Sequence, residues 1–191
     1  MARSRFVVCA ALPVFVVATA GAQARQPYSV QASVLFTVQK FSDNQSVGGT
    51  GIEVQGRYNP GRYSFGLGFQ YSGHTSGEQN IDLAGIFFEP RYAVDIGNDR
   101  VTPYLAGRAA VLRHTSNFIS VPEFSGVGTA FGLGGGVLAH LASRVNFDLG
   151  AAYIRQSFPD KTFDSGAEVR FSPFNGYVAK AGFTLGLGSR S

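Results

Sequence analysis

Residues 61–72, "GRYSFGLGFQYS", read as two interleaved sequences, one aromatic and aliphatic, the other small and polar. The two sets that alternate are Tyr63, Phe65, Leu67, Phe69, Tyr71 and Ser64, Gly66, Gly68, Gln70, Ser72. This period of two predicts a β-strand with two chemically different faces. In a soluble sandwich the apolar face would pack in the core, whereas in a membrane barrel it would contact lipid. The stretch predicts a strand, and the rest of the chain has to decide which face meets water.

The first 24 residues have the layout of a secretory signal peptide, with cationic "MARSR" followed by an apolar run at 6–17. Small residues allow cleavage after Ala20, Ala22 or Ala24. A run of about 12 residues is too short to span roughly 30 Å of hydrocarbon at 1.5 Å per residue. Cys9, the only cysteine, lies inside this segment. The sequence therefore predicts an exported single domain, residues 25–191, without disulfides.

The composition argues against a soluble surface and against nucleic-acid binding. Only 15% of residues are charged, against about 25% in a typical globular protein, while glycine numbers 25 and aromatics reach 13%. Loss of Arg3 and Arg5 with the signal peptide leaves 16 − 2 = 14 basic against 12 acidic residues, a net charge of +2. These charges are scattered and form no basic run.

Eight segments show the same alternation, and the joins between them alternate in length. The segments are 28–38, 51–59, 61–72, 83–94, 101–112, 129–141, 145–154 and 176–187. In the fourth to sixth segments the alternation is less regular, because Phe87, Leu112 and Leu138 are apolar residues on the otherwise polar face. Tight-turn sequences, "NPG", "DIGND" and "ASR", follow segments two, four and six, and longer polar stretches follow the others, the largest at 156–175. This pattern predicts an all-β, eight-stranded antiparallel up-and-down transmembrane β-barrel with extracellular loops and both termini periplasmic.

Aromatic residues on the apolar face fall at the two ends of the predicted strands. The inner group is Tyr28, Tyr58, Tyr63 and Tyr92, and the outer group is Phe36, Tyr71, Phe131, Tyr153 and Tyr177. Two such girdles around an aliphatic band are typical of a barrel that crosses a bilayer, because amphipathic rings favour the two interfaces. The apolar face is therefore predicted to contact lipid, and the small polar face becomes the interior.

Seven charged residues then point into the predicted lumen. They are Glu53, Arg57, Glu89, Arg91, Arg108, Asp148 and Lys180. An eight-stranded barrel is just wide enough for side chains to fill, and an isolated buried charge costs several kcal/mol, so we expect a paired network that plugs the lumen. Inward glycines, at positions 66, 68, 132, 134, 136, 150 and 182, leave room for these long side chains. A narrow ion or solute pore through the network is the alternative.

The last segment, "KAGFTLGL", matches polar-x-Gly-x-x-hydrophobic-x-hydrophobic through Lys180, Gly182, Leu185 and Leu187. It resembles the C-terminal assembly signal of outer-membrane barrels, although neither hydrophobic position is aromatic and "GSRS" follows. The stretches "FFEPRYAV", "TPYLAGRAAVL", "FGLGGGVLAHLASRVNFDLGAAY" and "FNGYVAKAGFTLGL" resemble the small outer-membrane β-barrel domain family, distant from the OmpA-like eight-stranded barrels. The resemblance implies a fold and an outer-membrane location, and it leaves the activity open because the family is functionally mixed.

One short stretch supports an enzymatic alternative. "RHTSN", 113–117, is similar to the His-x-Ser-Asn stretch of outer-membrane lipid A deacylases, and His114 would activate Ser116 for ester cleavage. His74 and His114 are expected on outer loops, where they could share a metal only with a third ligand such as Glu78. A soluble periplasmic ligand-binding barrel is a further alternative, and it would require polar outward faces.

The sequence favours a non-enzymatic, monomeric outer-membrane barrel whose surface loops serve envelope integrity, adhesion or surface interaction. Its expected partners are outer-membrane lipid, lipopolysaccharide and, during biogenesis, the barrel assembly machinery. We expect no cofactor, no resident metal and no nucleic-acid partner.

Overall fold

The computed structural model describes residues 26–40, 46–76, 79–98, 100–118, 121–162, 168–169 and 173–188. The predicted signal peptide, with Cys9, lies outside these residues, and so does Glu78. Within the described ranges no helix is long and apolar enough to cross a membrane.

The described residues form ten strands. They are β1 (Tyr28–Lys40), β2 (Ser46–Tyr58), β3 (Tyr63–Ser76), β4 (Gln79–Ala93), β5 (Val101–Phe118), β6 (Val121–His140), β7 (Val145–Ser157), β8 (Lys161–Thr162), β9 (Glu168–Val169) and β10 (Phe174–Leu187). Eight of them close a barrel in the order β1-β10-β7-β6-β5-β4-β3-β2, and β8 pairs with β9. Every neighbouring pair in the barrel is antiparallel. The predicted fold class is confirmed.

One end of the barrel carries the short turns, at 59–62, 94–100 and 141–144, and we call it the turn end. Gly61 and Gly97 have φ angles of 67° and 68°, a left-handed conformation that glycine adopts without strain. The Asp95 side chain accepts a hydrogen bond from the Gly97 backbone N–H at 3.0 Å, as in an Asx turn. The opposite end, at which β1 joins β2, β3 joins β4 and β5 joins β6, is called the loop end.

The wall of the barrel separates the two faces of the opening stretch. Leu67 is 66% exposed on the outside, whereas Gln70 is 9% exposed on the inside. The same alternation of outward apolar and inward polar side chains runs along β1, from Tyr28 to Lys40. The apolar face is thus the outer surface of a closed barrel, so this fold cannot be a soluble sandwich with an apolar core between two sheets.

Two of the joins at the loop end that were expected to be long polar stretches are short, and for these the prediction was wrong. β5 continues to Phe118 and β6 begins at Val121, so these strands are 18 and 20 residues long. β3 likewise extends to Ser76 and β4 starts at Gln79. Polar residues can continue a strand because each backbone N–H and C=O still pairs with the neighbouring strand. The join between β7 and β10 is long, as expected.

The interior has two layers along the barrel axis. Charged side chains fill the half nearer the turn end. Toward the loop end an apolar cluster crosses the lumen, and it consists of Leu83, Phe87, Ala110, Leu112, Ala130, Ile154, Phe158 and Phe174. Phe87 and Leu112, which blurred the alternation in the sequence, are therefore core residues of this second layer. Leu138 is also buried inside the barrel.

Candidate functional site

Glu89, on β4, lies at the centre of the charged layer. Its carboxylate accepts hydrogen bonds from Lys180 Nζ at 2.8 Å to both oxygens and from Arg91 Nε at 2.8 Å. Arg108 Nη1 reaches Oε2 at 3.1 Å, and Arg57 Nη1 reaches Oε1 at 3.3 Å. Four cations from four strands therefore share one carboxylate.

The other two acidic residues complete the network. Glu53 pairs with Arg108 at 2.8 Å and with Lys180 at 3.5 Å. Asp148 pairs with Arg91 at 2.8 Å. All seven charged residues that the sequence placed in the lumen are buried and belong to this one ion-pair network. With four basic and three acidic groups, the network carries one excess positive charge.

Neutral polar side chains that the sequence analysis did not single out also belong to the network. The Tyr104 hydroxyl donates to Asp148 at 2.7 Å, and Gln31 Nε2 donates to the same carboxylate at 2.6 Å. Gln55 accepts from Arg57 at 2.7 Å and Gln70 accepts from Arg108 at 2.6 Å. The alternation of inward and outward positions along each strand could have identified these residues. Tyr104, for example, lies four residues before Arg108 and therefore faces the same side of β5.

Aromatic rings hold two of the guanidinium groups. The Arg108 guanidinium carbon lies 3.7 Å from the centroid of the Phe87 ring, and that of Arg91 lies 4.2 Å from the Tyr104 centroid. The face of an aromatic ring attracts a cation, and it leaves the planar N–H donors free to bind carboxylates at the edge. Phe87 and Tyr104 therefore restrict the orientation of the arginines that reach Glu89 and Asp148.

Inward glycines give these side chains their space. A Cβ atom at Gly150 would lie 2.6 Å from the Tyr104 hydroxyl oxygen and 3.3 Å from Cε of Lys180. At Gly66 a Cβ would lie 2.6 Å from Nη1 of Arg57. Real Cβ atoms do not approach neighbours at 2.6 Å, so a larger residue at either position would displace a member of the network.

The cavities inside the barrel are small where the network and the apolar cluster meet. One cavity, lined by Gln70, His74 and Arg108 among others, measures about 20 Å³. Another of about 20 Å³ has Glu89, Tyr104 and Lys180 among its lining residues. Each has room for about one water molecule. A wider vestibule of about 250 Å³ opens at the turn end, with Arg57 and Arg91 in its lining.

The two histidines that were expected on outer loops lie instead in strands and point inward. His74 is buried on β3, where Nε2 lies 2.7 Å from Oγ1 of Thr37 and 3.1 Å from Nε2 of Gln39. His114 and Ser116 are neighbours on the inner face of β5, and both are buried. No group of three or more His, Cys, Asp or Glu residues able to hold a metal occurs among the described residues.

The inward orientation of His114 bears on the esterase alternative. The His114 ring packs against Phe158, with 5.4 Å between the ring centroids. Ser116 is 3% exposed and lies on the inner side of the wall, opposite the outward apolar face. The geometry thus places this His–Ser pair in the interior packing at the loop end, away from the surface at which a membrane lipid would bind.

The nine aromatic residues of the predicted girdles all point outward and are between 39% and 63% exposed. Cross-strand pairs form at both ends: Tyr63 and Tyr92 have ring centroids 5.3 Å apart, and Tyr153 and Tyr177 are 5.4 Å apart. Of the predicted assembly signal on β10, Lys180 and Gly182 face inward, whereas Leu185 and Leu187 face outward.

Several solved structures share this fold, although no curated protein matches the chain in sequence. Neisserial surface protein A superposes with a TM-score of 0.69 at 16% identity, over 86% of this chain and 100% of that one. The N-terminal barrel domain of Pseudomonas aeruginosa OprF gives 0.52 at 15%, over 84% and 99%. Ail, the attachment invasion locus protein of Yersinia pestis, gives 0.51 at 13%, over 83% and 97%.

At these identities the likeness to solved structures concerns the fold alone. Residues 7–189 match the model of the outer membrane protein beta-barrel domain family. This match spans nearly the whole chain, and it agrees with the closed eight-stranded barrel. The chain therefore belongs to the outer membrane protein beta-barrel domain family, whose members are proteins of the bacterial outer membrane.

Proposed function

We propose that the protein is a non-enzymatic, monomeric barrel with a closed lumen, which acts through the surface that its loop end presents outside the cell. The observation that carries the closed lumen is the convergence of Lys180, Arg57, Arg91 and Arg108 on Glu89. Buried ions are stable only when they are paired, so a passing ion would have to displace partners that leave uncompensated charge behind. The apolar cluster toward the loop end adds a second barrier.

The long β5–β6 hairpin supports a role at the surface. Phe131, in the outer girdle, pairs with Ala109, so ten residues of β6, from Val121 to Ala130, continue beyond it. At about 3.4 Å per residue this is roughly 34 Å of strand past the predicted membrane interface. The names of two barrels with this fold refer to the cell surface and to attachment, which is the class of role that we propose here.

Single-channel recording of the purified protein in planar bilayers tests the closed lumen. We expect no steady open level from the wild type. A steady conductance that changes when Arg108 or Glu89 is replaced would refute the closed lumen and favour the pore. Gel mobility provides the control for folding, because a folded outer-membrane barrel migrates differently before and after boiling.

Shortening the β5–β6 hairpin tests the surface role. Thr115 pairs with Ser125 and Ser116 pairs with Phe124, so deleting these four residues keeps the β5–β6 register and the facing of the remaining side chains. We expect intact cells with the shortened protein to lose adherence to host cell monolayers or exclusion of a bulky antibiotic. Equal adherence and equal exclusion with both proteins would contradict the role.

The deletion also removes Ser116, so a substitution separates the esterase alternative. Ser116→Ala leaves the hairpin intact, and we expect unchanged lipid A acylation in cells that produce either protein. Loss of an acyl chain from lipid A with the wild type, but not with Ser116→Ala, would establish the enzyme instead.

A further inference from the structure

Three polar side chains lie side by side on the outer surface at the loop end. Lys40 on β1 pairs with Asn175 on β10, and Asn175 pairs with Arg155 on β7. Lys40 and Arg155 are exposed and Asn175 is partly exposed. Neighbouring strands are about 4.8 Å apart, so the two cations flank the amide with roughly 10 Å between their backbones. Side chains as long as Lys and Arg can converge on one small group above Asn175.

An aromatic pair lies directly beneath this polar row. Tyr177 on β10 and Tyr153 on β7 are the next outward residues toward the turn end. Their ring centroids are 5.4 Å apart. Nζ of Lys40 lies 5.2 Å from the centroid of the Tyr177 ring. Both tyrosines belong to the predicted outer girdle. The cations therefore project at the level where lipid headgroups begin, with apolar and aromatic surface below them.

The two cations have no acidic partner among the described residues. The ion pairs of Lys180 and of the lumen arginines are inside the barrel, and the exposed Arg62 at the turn end pairs with Asp95 at 3.0 Å. Among the described residues, therefore, no carboxylate competes with an external anion for Lys40 and Arg155. The two charges face the same side of the wall and repel each other unless an anion lies between them.

We propose that Lys40, Asn175 and Arg155 form a binding site for a phosphate group of lipid A, the phosphorylated glycolipid of the outer leaflet. This inference rests on the proposed orientation, in which the loop end is extracellular. Arginine binds phosphate through paired N–H donors, lysine contributes a point charge, and the Asn175 amide donates a further hydrogen bond. Acyl chains of the same molecule contact Tyr177, Tyr153 and the outward residues below them.

Native mass spectrometry of the folded mature barrel in detergent tests the site, with bis-phosphorylated lipid A as the titrated probe. We expect the double variant Lys40→Gln/Arg155→Gln to bind about tenfold more weakly than the wild type, since two charge-assisted contacts are lost. Arg113→Gln is the matched control. Arg113 is also an exposed outward cation beyond the girdle, but it pairs with Ala84 and Val127. The affinity of Arg113→Gln for lipid A should stay within about twofold of that of the wild type.

Two further arms identify the chemistry. Dephosphorylated lipid A should bind the wild type and the double variant equally. The charge-preserving variant Lys40→Arg/Arg155→Lys should recover most of the affinity for lipid A, which a variant that merely disturbed folding would not do. Gel mobility before boiling confirms that each variant is folded.

Equal binding of bis-phosphorylated lipid A to the wild type and the double variant would overturn the site. If phosphatidylglycerol bound as tightly as lipid A, and through the same two cations, the assignment to lipid A would be wrong and the site would be one for phospholipid. Failure of this site is distinguishable from failure of the proposed function, because lipid A binding, conductance and adherence are three separate measurements. Labelling of the loop end on intact cells separately tests the orientation.

Discussion

Nζ of Lys180 lies 2.8 Å from both carboxylate oxygens of Glu89, although the two residues come from opposite sides of the barrel. β10 and β4 are separated by three strands in either direction around the wall. Since both side chains are more than nine-tenths buried, little water is available to replace either partner. This contact makes Glu89 the position at which the interior is most sensitive to a change of charge.

Replacing Glu89 by Gln should destabilise the barrel by about 3–5 kcal/mol, the usual cost of leaving buried charges unpaired. Gln has nearly the same shape, but it cannot neutralise the four cations around it. Urea unfolding of the protein in lipid vesicles measures the change, since urea does not screen ion pairs. Asp95→Asn is the matched control: it removes the carboxylate of the exposed pair with Arg62 and should cost only about 0–1 kcal/mol. Equal effects of the two variants would contradict the central role of Glu89.

Gly150→Val should destabilise the barrel by about 1–3 kcal/mol, because the new side chain overlaps the Tyr104 hydroxyl and the stem of Lys180. Ala151→Val places the same side chain one residue further along β7, where it faces outward. That variant should stay within about 0.5 kcal/mol of the wild type. Urea midpoints of both proteins check the prediction, and an equal or larger loss for Ala151→Val would contradict the role of interior space at Gly150.

Cysteine labelling should show the loop end outside the cell. The predicted mature chain contains no cysteine, so Ser157→Cys and Ala142→Cys each introduce a single thiol. Both positions are exposed, Ser157 at the loop end of β7 and Ala142 in a turn at the other end of the barrel. A membrane-impermeant maleimide should label Ser157→Cys on intact cells and Ala142→Cys only after the outer membrane is opened. The reverse pattern would invert the proposed orientation.

Substitution of the proposed assembly signal should reduce insertion in cells without preventing folding in detergent. Leu185→Asn changes an outward residue at a signal position, and Phe183→Asn changes an outward residue on the same strand that is not part of the signal. If the motif is recognised during biogenesis, Leu185→Asn lowers the amount of folded protein in the outer membrane several-fold and Phe183→Asn has less effect. If only lipid contact matters, Phe183→Asn, which lies deeper along the strand, has the greater effect.

The alternation from Tyr63 to Tyr71 was sufficient to predict a strand, and the joins and aromatic girdles were sufficient to predict the barrel. Strand parity also placed Arg108 and Glu53 in the interior. Their pairing could not be predicted, because it depends on the shear of strands that are three positions apart in the wall. The length of β5 was underestimated for a different reason. Toward the end of that hairpin, inward and outward positions alike carry polar residues such as Thr115. The hydrophobic alternation therefore stops before the hydrogen-bonded pairing of β5 with β6 does.

The network that converges on Glu89 also connects non-adjacent strands across the interior of the barrel. Hydrogen bonds in the wall join only adjacent strands, and they resist sliding of one strand past the next better than flattening of the whole circumference. Glu89 to Lys180 spans the full diameter, and Arg91 to Asp148 and Arg108 to Glu53 each join strands three positions apart in the wall. A change in lateral pressure from the surrounding lipid would thus have to break buried ion pairs before the cross-section could become oval, and the spacing of side chains on the outer surface stays fixed as a result.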